Sequence, residues 1–173
     1  PWTLPGNMAA AVHNETDYVK VSVKGEEGEE LVILAKGRLE QLGDLEHEVV
    51  EEMKGADLVG KSYEPPFSYW KDKEFEGKEN AWKIYHADYV EIGEEGTGAV
   101  HLAPAYGADD MKLAKAEGVP IEHHVGESGH FKDVVTDFAG QLVKPKDDDD
   151  SGVTHLDADI EVLKKLQAEG KIF

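Results

Sequence analysis

The sequence contains no cysteine and a single arginine, Arg38, in 173 residues. Without cysteine the chain can form neither disulfide bonds nor a thiolate metal site, which suits a reducing compartment. Its 18 basic residues stand against 37 acidic ones, giving a formal net charge of −19. Because nucleic-acid binding requires clustered basic side chains, this balance argues against a general nucleic-acid-binding protein and is more simply explained by solubility.

Long apolar runs are also missing. No stretch approaches the roughly 20 apolar residues that a transmembrane helix needs, and no signal-peptide pattern opens the sequence. We therefore expect a cytoplasmic protein without a membrane partner. The length suits one domain, and the apolar fraction of 40% suits a folded core. Because the sequence begins at Pro1, in a pattern typical of the middle of a strand or a turn, we expect residues 1–173 to be a single domain excised from a larger protein.

The hydrophobic pattern predicts several short strands. Valines alternate with polar residues over 17–24, and an apolar run over 31–35 follows a charged, glycine-bearing turn, so these segments predict a hairpin. Strand composition recurs over 82–92, with a break near His86–Ala87, and over 98–102 and 120–125.

The predicted helices are short as well. Residues 36–42 fit a short helix, whereas 44–55 fit a helix or a strand equally well. A further helix is predicted to begin at Asp109 or Asp110 and to end at Gly118.

The clearest helix lies at the C-terminal end. It places Ile160, Leu163 and Leu166 on an apolar face and is expected to end at Gly170. The order of elements lacks the regular βαβ rhythm of a doubly wound sheet. We therefore predict a mixed α and β fold, with a curled, barrel-like β core and peripheral short helices.

Residues 96–110, GTGAVHLAPAYGADD, predict a compact corner made of a strand, a turn and a helix start. A helix N-terminus favours negative charge, so an aspartate there can cap the helix or hold an ammonium group of a substrate. Capping is the better interpretation for one of Asp109 and Asp110, and the second carboxylate is then free. His101 taken alone is more typical of a structural, hydrogen-bonded histidine.

Two acidic or histidine-rich stretches invite a metal-site interpretation that their spacing does not support. His123 and His124 would point to opposite faces of a strand, and with His130 they match no zinc signature. The run Asp147–Asp150 lacks the ligand spacing of an EF-hand loop. We predict no metal site.

Phosphate-binding glycine loops and the GxSxG elbow are absent from the sequence. The opening stretch PWTLPGN instead holds Thr3 and Asn7 around a proline-glycine turn, beside Trp2. A rigid turn with Trp2 in the core and a pocket wall both fit this pattern.

Three separated stretches resemble the editing domain of class I aminoacyl-tRNA synthetases. PWTLPGN is similar to the isoleucyl form of the family's threonine-rich strand, GKSYEPPF (60–67) to its G-x-x-Y-x-P-x-F segment, and 96–110 to its GTG-V-H-x-A-P-x-x-G-x-D-D block. The tail from residue 151 resembles the closing segment of the same insert. Leucyl and valyl relatives usually carry an acidic residue where this chain has Trp2, which favours the isoleucyl type.

The resemblance implies post-transfer editing, the hydrolysis of the aminoacyl ester of mischarged valyl-tRNA(Ile). The implied partners are the 3′ end of that tRNA and the rest of the synthetase in cis. No cofactor is implied for editing, because ATP and Mg²⁺ serve the synthetic domain, whose nucleotide-binding signatures are not in this sequence.

Site residues follow from the same resemblance. Asp110 would hold the α-ammonium of the misattached amino acid, and His101 would border its side chain and crowd out isoleucine. Trp2, Thr3 and Asn7 would line the pocket and contact the terminal adenosine.

The resemblance also has a gap, since the family's threonine run precedes PWTLP and lies outside these residues. We therefore expect weaker hydrolysis from the isolated 173 residues than from a whole synthetase. Two alternatives stay open: a module that binds the aminoacylated 3′ end without turnover, and a divalent-metal hydrolase.

Overall fold

The computed structural model describes residues 1–25, 28–90, 96–144, 154 and 156–172. The chain divides into two compact units. The first unit combines Pro1–Met8, Glu64–Trp82 and Ala103–Phe173, and the second combines Ala9–Tyr63 with Lys83–Leu102. This division does not test whether the residues fold as one domain, so that statement stays a prediction.

The second unit holds the strands of the described residues. They are β1 (Ala9–Val12), β2 (Asp17–Gly25), β3 (Gly28–Ala35), β4 (His47–Lys54), β5 (Lys83–His86) and β6 (Val100–Leu102). They form two three-stranded sheets, with the orders β3-β2-β4 and β5-β1-β6.

The β3-β2-β4 sheet is antiparallel throughout and contains the predicted hairpin of β2 with β3. Its inner face buries Val19, Val21 and Val23, as their alternation with polar residues predicts. The ambiguous segment 44–55 is the strand β4, and a bulge shifts its register between Lys20 and Val21 of β2. An edge strand with a bulge explains why its sequence shows no clean period of two.

In the other sheet, β1 lies between β5, which runs parallel to it, and β6, which runs antiparallel. The predicted strands at 82–92 and 98–102 are therefore confirmed: β5 ends at His86, where a break was predicted, and β6 begins at Val100, later than predicted. No strand spans 120–124, and Val125 makes only an isolated bridge with Phe131. The expectation for 120–125 was wrong because Pro120 opens the segment and its residues pack as an irregular loop.

The first unit contains the two longer helices, α2 (Ala108–Glu117) and α3 (Asp157–Ala168); a single turn, α1 (Gly55–Leu58), belongs to the second unit. The helix α2 ends at Gly118, whose φ of 70° is the left-handed conformation that the sequence predicts there. Short 3₁₀ turns complete the fold at Leu4–Gly6, Lys36–Leu42 and Lys78–Asn80.

The packing face of α3 differs from the predicted one. Ala158, Val162 and Leu166 are buried, whereas Ile160 and Leu163 are 44% and 42% exposed. The buried residues follow an i, i+4, i+8 spacing that begins at a small side chain. Alanine adds little to a hydrophobic pattern, so the sequence alone favoured the larger residues on the wrong face.

The core of the first unit is aromatic and aliphatic. It is formed by Phe67, Phe131, Val135, Phe138, Val143, Ala158, Val162 and Leu166. The mixed α and β class with short helices is confirmed, while the barrel-like curl of the β core stays a prediction. Among the described residues, no helix combines the length and apolar character that a bilayer crossing requires.

Candidate functional site

The start of α2 fixes the position of Asp110. The N-cap residue is Gly107, which has no side chain to cap with, and Asp110 is the third residue of the helix. Its Oδ2 accepts a hydrogen bond from the Ala103 N–H at 2.9 Å. Asp109 is exposed on the same turn. The expectation that one of the two aspartates is the N-cap was therefore wrong, because Asp110 folds back onto the preceding turn instead.

The fold-back of Asp110 requires a glycine at position 107. A Cβ there would lie 2.7 Å from Cγ of Asp110 and 2.8 Å from its Oδ2. Gly107 has φ of −120°, so the requirement comes from this close approach and not from backbone conformation. In the described part of the chain, the Ala103 N–H is the one hydrogen-bond partner of the carboxylate. Its Oδ1 is thus left for another donor.

The stretch PWTLPGN forms a single 3₁₀ turn over Leu4–Gly6. Three side chains from distant parts of the first unit donate N–H groups to its backbone carbonyl oxygens. The bonds are Trp70 Nε1–H to Pro5 (3.1 Å), Trp82 Nε1–H to Asn7 (3.1 Å) and His124 Nε2–H to Trp2 (2.9 Å). A loop whose backbone is hydrogen-bonded at three carbonyls is rigid. We call PWTLPGN (1–7) the wall.

An aromatic cluster joins this wall to the motif that contains Asp110. The ring of Tyr106 meets Trp2 edge-on at 5.1 Å between centroids and meets His124 at 4.6 Å. The Tyr106 hydroxyl oxygen also accepts the Val125 N–H at 2.8 Å. We call Trp2, Tyr106 and His124 the aromatic cluster. Lys144 places its Nζ 5.1 Å from the Trp2 ring centre, in a cation–π contact.

His101 lies in the second unit, on β6, opposite Ala10 of β1, and is half-buried. Gly98, which precedes it, is held in place: the Tyr18 hydroxyl donates to the Gly98 carbonyl oxygen at 2.5 Å, and Gly98 has φ of 85°. A Cβ at Gly98 would lie 2.5 Å from Cβ of Ala35. The GTG part of the motif therefore sets where β6 begins, and so the position of His101.

The structure thus gathers four of the five predicted site residues in the first unit and leaves His101 in the second. Trp2, Thr3 and Asp110 are half-buried, so parts of their side chains are accessible, whereas Asn7 is only 4% exposed. Their roles toward a substrate stay predictions.

The described residues do not support the alternative of a metal site. His123 is exposed while its neighbour His124 is fully buried, so the two imidazoles lie in different environments, although no strand separates them as predicted. In the part of the chain that the structure describes, no three His, Asp or Glu side chains are grouped to hold an ion. Asp147–Asp150 lies outside the described residues.

Burial controls the ionisation of His124. It lowers the pKa of the imidazole to about 4, against the hydrogen bond to the Trp2 carbonyl, which raises it, and with smaller lowering contributions from the charges of His123 and Lys132. The ring is therefore neutral near pH 7, with its proton on Nε2, where it donates to the Trp2 carbonyl oxygen. Nδ1 is buried and has no hydrogen-bond partner among the described residues.

This shift predicts an acid-labile component of stability. Between pH 6.5 and about 4 the unfolded chain binds a proton at His124 that the folded chain does not. The free energy of unfolding should fall by up to about 3 kcal/mol as the pH drops through this window. Urea titrations of wild type and His124→Phe at several pH values check this by giving the slope of the unfolding free energy against pH. Carboxylates contribute to the slope of both proteins, so the difference between the two slopes isolates His124. Equal slopes would contradict the assignment.

The sequence analysis missed two residues that hold the wall in place, Tyr106 and His124. Tyr106 lies inside the recognised motif, but a single sequence does not show which ring it meets. His124 was interpreted as a solvated or hydrogen-bonded histidine rather than a metal ligand, and its contact with the PWTLPGN backbone was not predicted. The available signal was Gly6, since a glycine in an otherwise ordinary turn marks a close approach.

Comparisons with known proteins show which proteins this chain is similar to. The chain is 43% identical over 176 residues to the isoleucine–tRNA ligase of Bdellovibrio bacteriovorus, covering 100% of this chain and 15% of the relative. It is 38% identical over 181 residues to that of Corynebacterium diphtheriae, covering 99% of this chain and again 15% of the relative. The chain thus spans about 15% of the length of these relatives. No protein-family model matches it.

A solved structure supports the fold. The leucyl-tRNA synthetase CP1 domain GlLeuRS-CP1 superposes with a TM-score of 0.51 at 18% identity, over 66% of this chain and 40% of the other. At this identity the likeness concerns the fold alone. The whole-length match to isoleucine–tRNA ligases supplies the type, so the chain belongs to the isoleucine–tRNA ligase family, as a segment with the CP1 fold.

Proposed function

We propose that this chain hydrolyses the aminoacyl ester of mischarged valyl-tRNA(Ile), as the editing domain of an isoleucine–tRNA ligase. The observation that carries the proposal is the Asp110 carboxylate, fixed through Oδ2 by the Ala103 N–H and without a partner for Oδ1 among the described residues. The homology to isoleucine–tRNA ligases over the whole chain supports it.

The chemical need for such a site lies in the small difference between isoleucine and valine. One methylene in an apolar pocket is worth only about 1–3 kcal/mol, a limit for which isoleucine–tRNA ligase is itself the standard example. A second site that hydrolyses the smaller product adds the missing discrimination.

Asp110 is proposed to bind the α-ammonium of the esterified valine. Its Oδ2 is held by the backbone of the turn, so the carboxylate is oriented before the substrate arrives. Its Oδ1 then accepts a charge-assisted hydrogen bond from the ammonium, which is stronger than a neutral one. This contact positions the ester carbonyl, since the ammonium-bearing carbon is bonded to it.

The other predicted residues are each proposed to contact the substrate. His101 borders the amino acid side chain and crowds out isoleucine, while Trp2, Thr3 and Asn7 contact the terminal adenosine. The wall that carries Trp2 and Asn7 is held at three backbone carbonyls, which lowers the cost of ordering it around a ligand.

The reaction itself requires modest chemistry. A water molecule attacks the ester carbonyl carbon, the carbon–oxygen bond to the ribose breaks, and the ribose hydroxyl leaves with a proton from the water. Orientation of the ester supplies much of the rate. We propose that no metal or organic cofactor takes part. The tRNA 3′ end and the rest of the synthetase are the proposed partners, in the cytoplasm.

Deacylation of valyl-tRNA(Ile) by the whole synthetase, and by the 173 residues alone, tests the proposal against its alternatives. Turnover that resists a chelator supports it. Binding of a non-hydrolysable valyl-adenosine analogue without turnover, by the whole synthetase, would favour the binding-only module. Loss of turnover with EDTA and its recovery with added divalent metal would favour the metal hydrolase.

Gly107→Ala should act by displacing Asp110. The new methyl group would occupy the space of the carboxylate, so kcat/KM for deacylation is expected to fall by about 10- to 100-fold with the fold retained. Deacylation kinetics and a circular dichroism spectrum check both parts. In an Asp110→Asn background the same change should cost little more, whereas a fully additive loss would contradict the mechanism.

A further inference from the structure

We propose that His124 is a positioning residue of the editing site: it fixes the backbone of PWTLPGN and thereby the substrate-binding wall. The proposal rests on the proposed function and assigns a role to a side chain that does not itself touch the substrate.

The first support is the place of His124 in the first unit. The side chain is 0% exposed, and its Nε2–H donates to the Trp2 carbonyl oxygen at 2.9 Å. Its ring is packed between Tyr106, edge-on at 4.6 Å, and Phe131, nearly parallel at 5.8 Å. The imidazole therefore has little freedom to rotate, and the bond to Trp2 is fixed with it.

The second support is the contact with Gly6. A Cβ at this position would lie 2.1 Å from Nδ1 of His124 and 2.4 Å from its Cε1. Gly6 does not have a positive φ, so the backbone conformation alone would accept alanine. The glycine is there because the imidazole occupies the space of a side chain. His124 thus contacts the wall at both of its ends, at Trp2 and at Gly6.

The third support is Nδ1 of His124, which is buried and has no hydrogen-bond partner in the part of the chain that the structure describes. A buried acceptor without a donor costs stability, and a phenyl ring would fill the same space without that cost. What a phenyl ring lacks is the Nε2–H donor to Trp2. The imidazole is therefore explained by its hydrogen bond to the wall rather than by core packing.

The consequence concerns substrate affinity. If the Trp2 carbonyl loses its donor, the peptide between Trp2 and Thr3 loses one anchor, while the Trp2 N–H still donates to Asp159 at 2.7 Å. The orientation of the Trp2 and Thr3 side chains then becomes less fixed. Both are proposed to contact the adenosine in the ground state and in the transition state alike. Loss of such uniform binding raises KM and leaves kcat nearly unchanged.

The kinetic test compares two replacements of His124. In His124→Gln the side-chain amide can reach the former Nε2 position and donate, whereas His124→Phe keeps the ring volume without a donor. We expect KM for valyl-tRNA(Ile) to rise about 10-fold in His124→Phe with kcat within about two-fold, and to stay within about three-fold of wild type in His124→Gln. The exposed neighbour His123→Gln is the matched control and should change neither constant.

A second test does not depend on catalysis. Gly6→Ala should lower the melting temperature in the wild-type background and cost much less in His124→Ala, where the methyl group has room. In His124→Phe, the NMR signal of the Trp2 indole N–H should shift, and His124→Gln should restore it. If the wild-type synthetase does not deacylate valyl-tRNA(Ile), the proposed function fails, while these two measurements still decide whether His124 holds the wall.

Three results would overturn the role of His124: a wild-type KM in His124→Phe, a Gly6→Ala effect that is the same with and without the imidazole, or an unchanged Trp2 indole signal. A fall in kcat alone in both His124 variants would also contradict it, because that pattern indicates a general loss of active-site structure.

Discussion

Asp110→Asn should lower kcat/KM for deacylation of valyl-tRNA(Ile) by about 10²- to 10³-fold, because it removes the charge that pairs with the α-ammonium of valine. Asparagine is the sharpest replacement. Its carbonyl oxygen can still accept the Ala103 N–H, so the turn before α2 and the fold-back of the side chain are kept. Single-turnover deacylation with pre-charged tRNA measures the effect.

Asp109→Asn is the matched control for this substitution. It removes the same charge from the same helical turn, at an exposed side chain. We expect its kcat/KM to stay within about two-fold of wild type, as for a typical surface change. Equal losses in the two variants would show that the site responds to the overall charge of the turn, and the specific role of Asp110 would then be wrong.

Leu166→Ala should cost about 2–5 kcal/mol of unfolding free energy, because it removes a side chain that is 5% exposed in the core of the first unit. Leu163→Ala on the same helix is expected to cost less than about 1 kcal/mol, since Leu163 is 42% exposed. Both changes place alanine in α3, so helix propensity cancels in the comparison. Urea denaturation measures the two values.

The leucine pair separates the packing face in the structure from the face predicted by the sequence. The hydrophobic pattern assigned Leu163 and Leu166 to the same buried face and would predict similar costs. If Leu163→Ala proves as destabilising as Leu166→Ala, α3 packs through the predicted face and the structural assignment of its register is wrong.

Much of the fold followed from local patterns. The hairpin of β2 and β3 was predictable because three valines alternate with polar residues and a glycine-bearing turn follows them. The end of α2 was predictable because Gly118 adopts a backbone conformation that few other residues tolerate. These signals depend on near neighbours in the sequence, which is why one sequence sufficed.

Other features depend on distant contacts and were not predictable. The N-cap of α2 was assigned to an aspartate, but Asp110 instead bonds to Ala103, and only Gly107 leaves room for this. The donors from Trp70, Trp82 and His124 to the PWTLPGN backbone come from positions 65 to 122 residues away in sequence. No periodicity encodes such pairs.

The site residues themselves were named from the family resemblance, and what the structure adds is how they are held. Asp110 is oriented by one backbone N–H, and Trp2 by an imidazole and by the edge of Tyr106. Chemical roles for these residues now depend on experiment.

Selectivity between the two aminoacyl esters tests the central claim most directly. Valyl-tRNA(Ile) and isoleucyl-tRNA(Ile), each pre-charged and labelled, would be incubated separately with the whole synthetase and with its Asp110→Asn variant, without ATP. We predict that the valyl ester decays at least about 10-fold faster than the isoleucyl ester, and that Asp110→Asn brings its decay close to the rate without enzyme. Equal decay of the two esters, or selective hydrolysis that survives Asp110→Asn, would contradict the assignment of this chain as a valine-editing site built on Asp110.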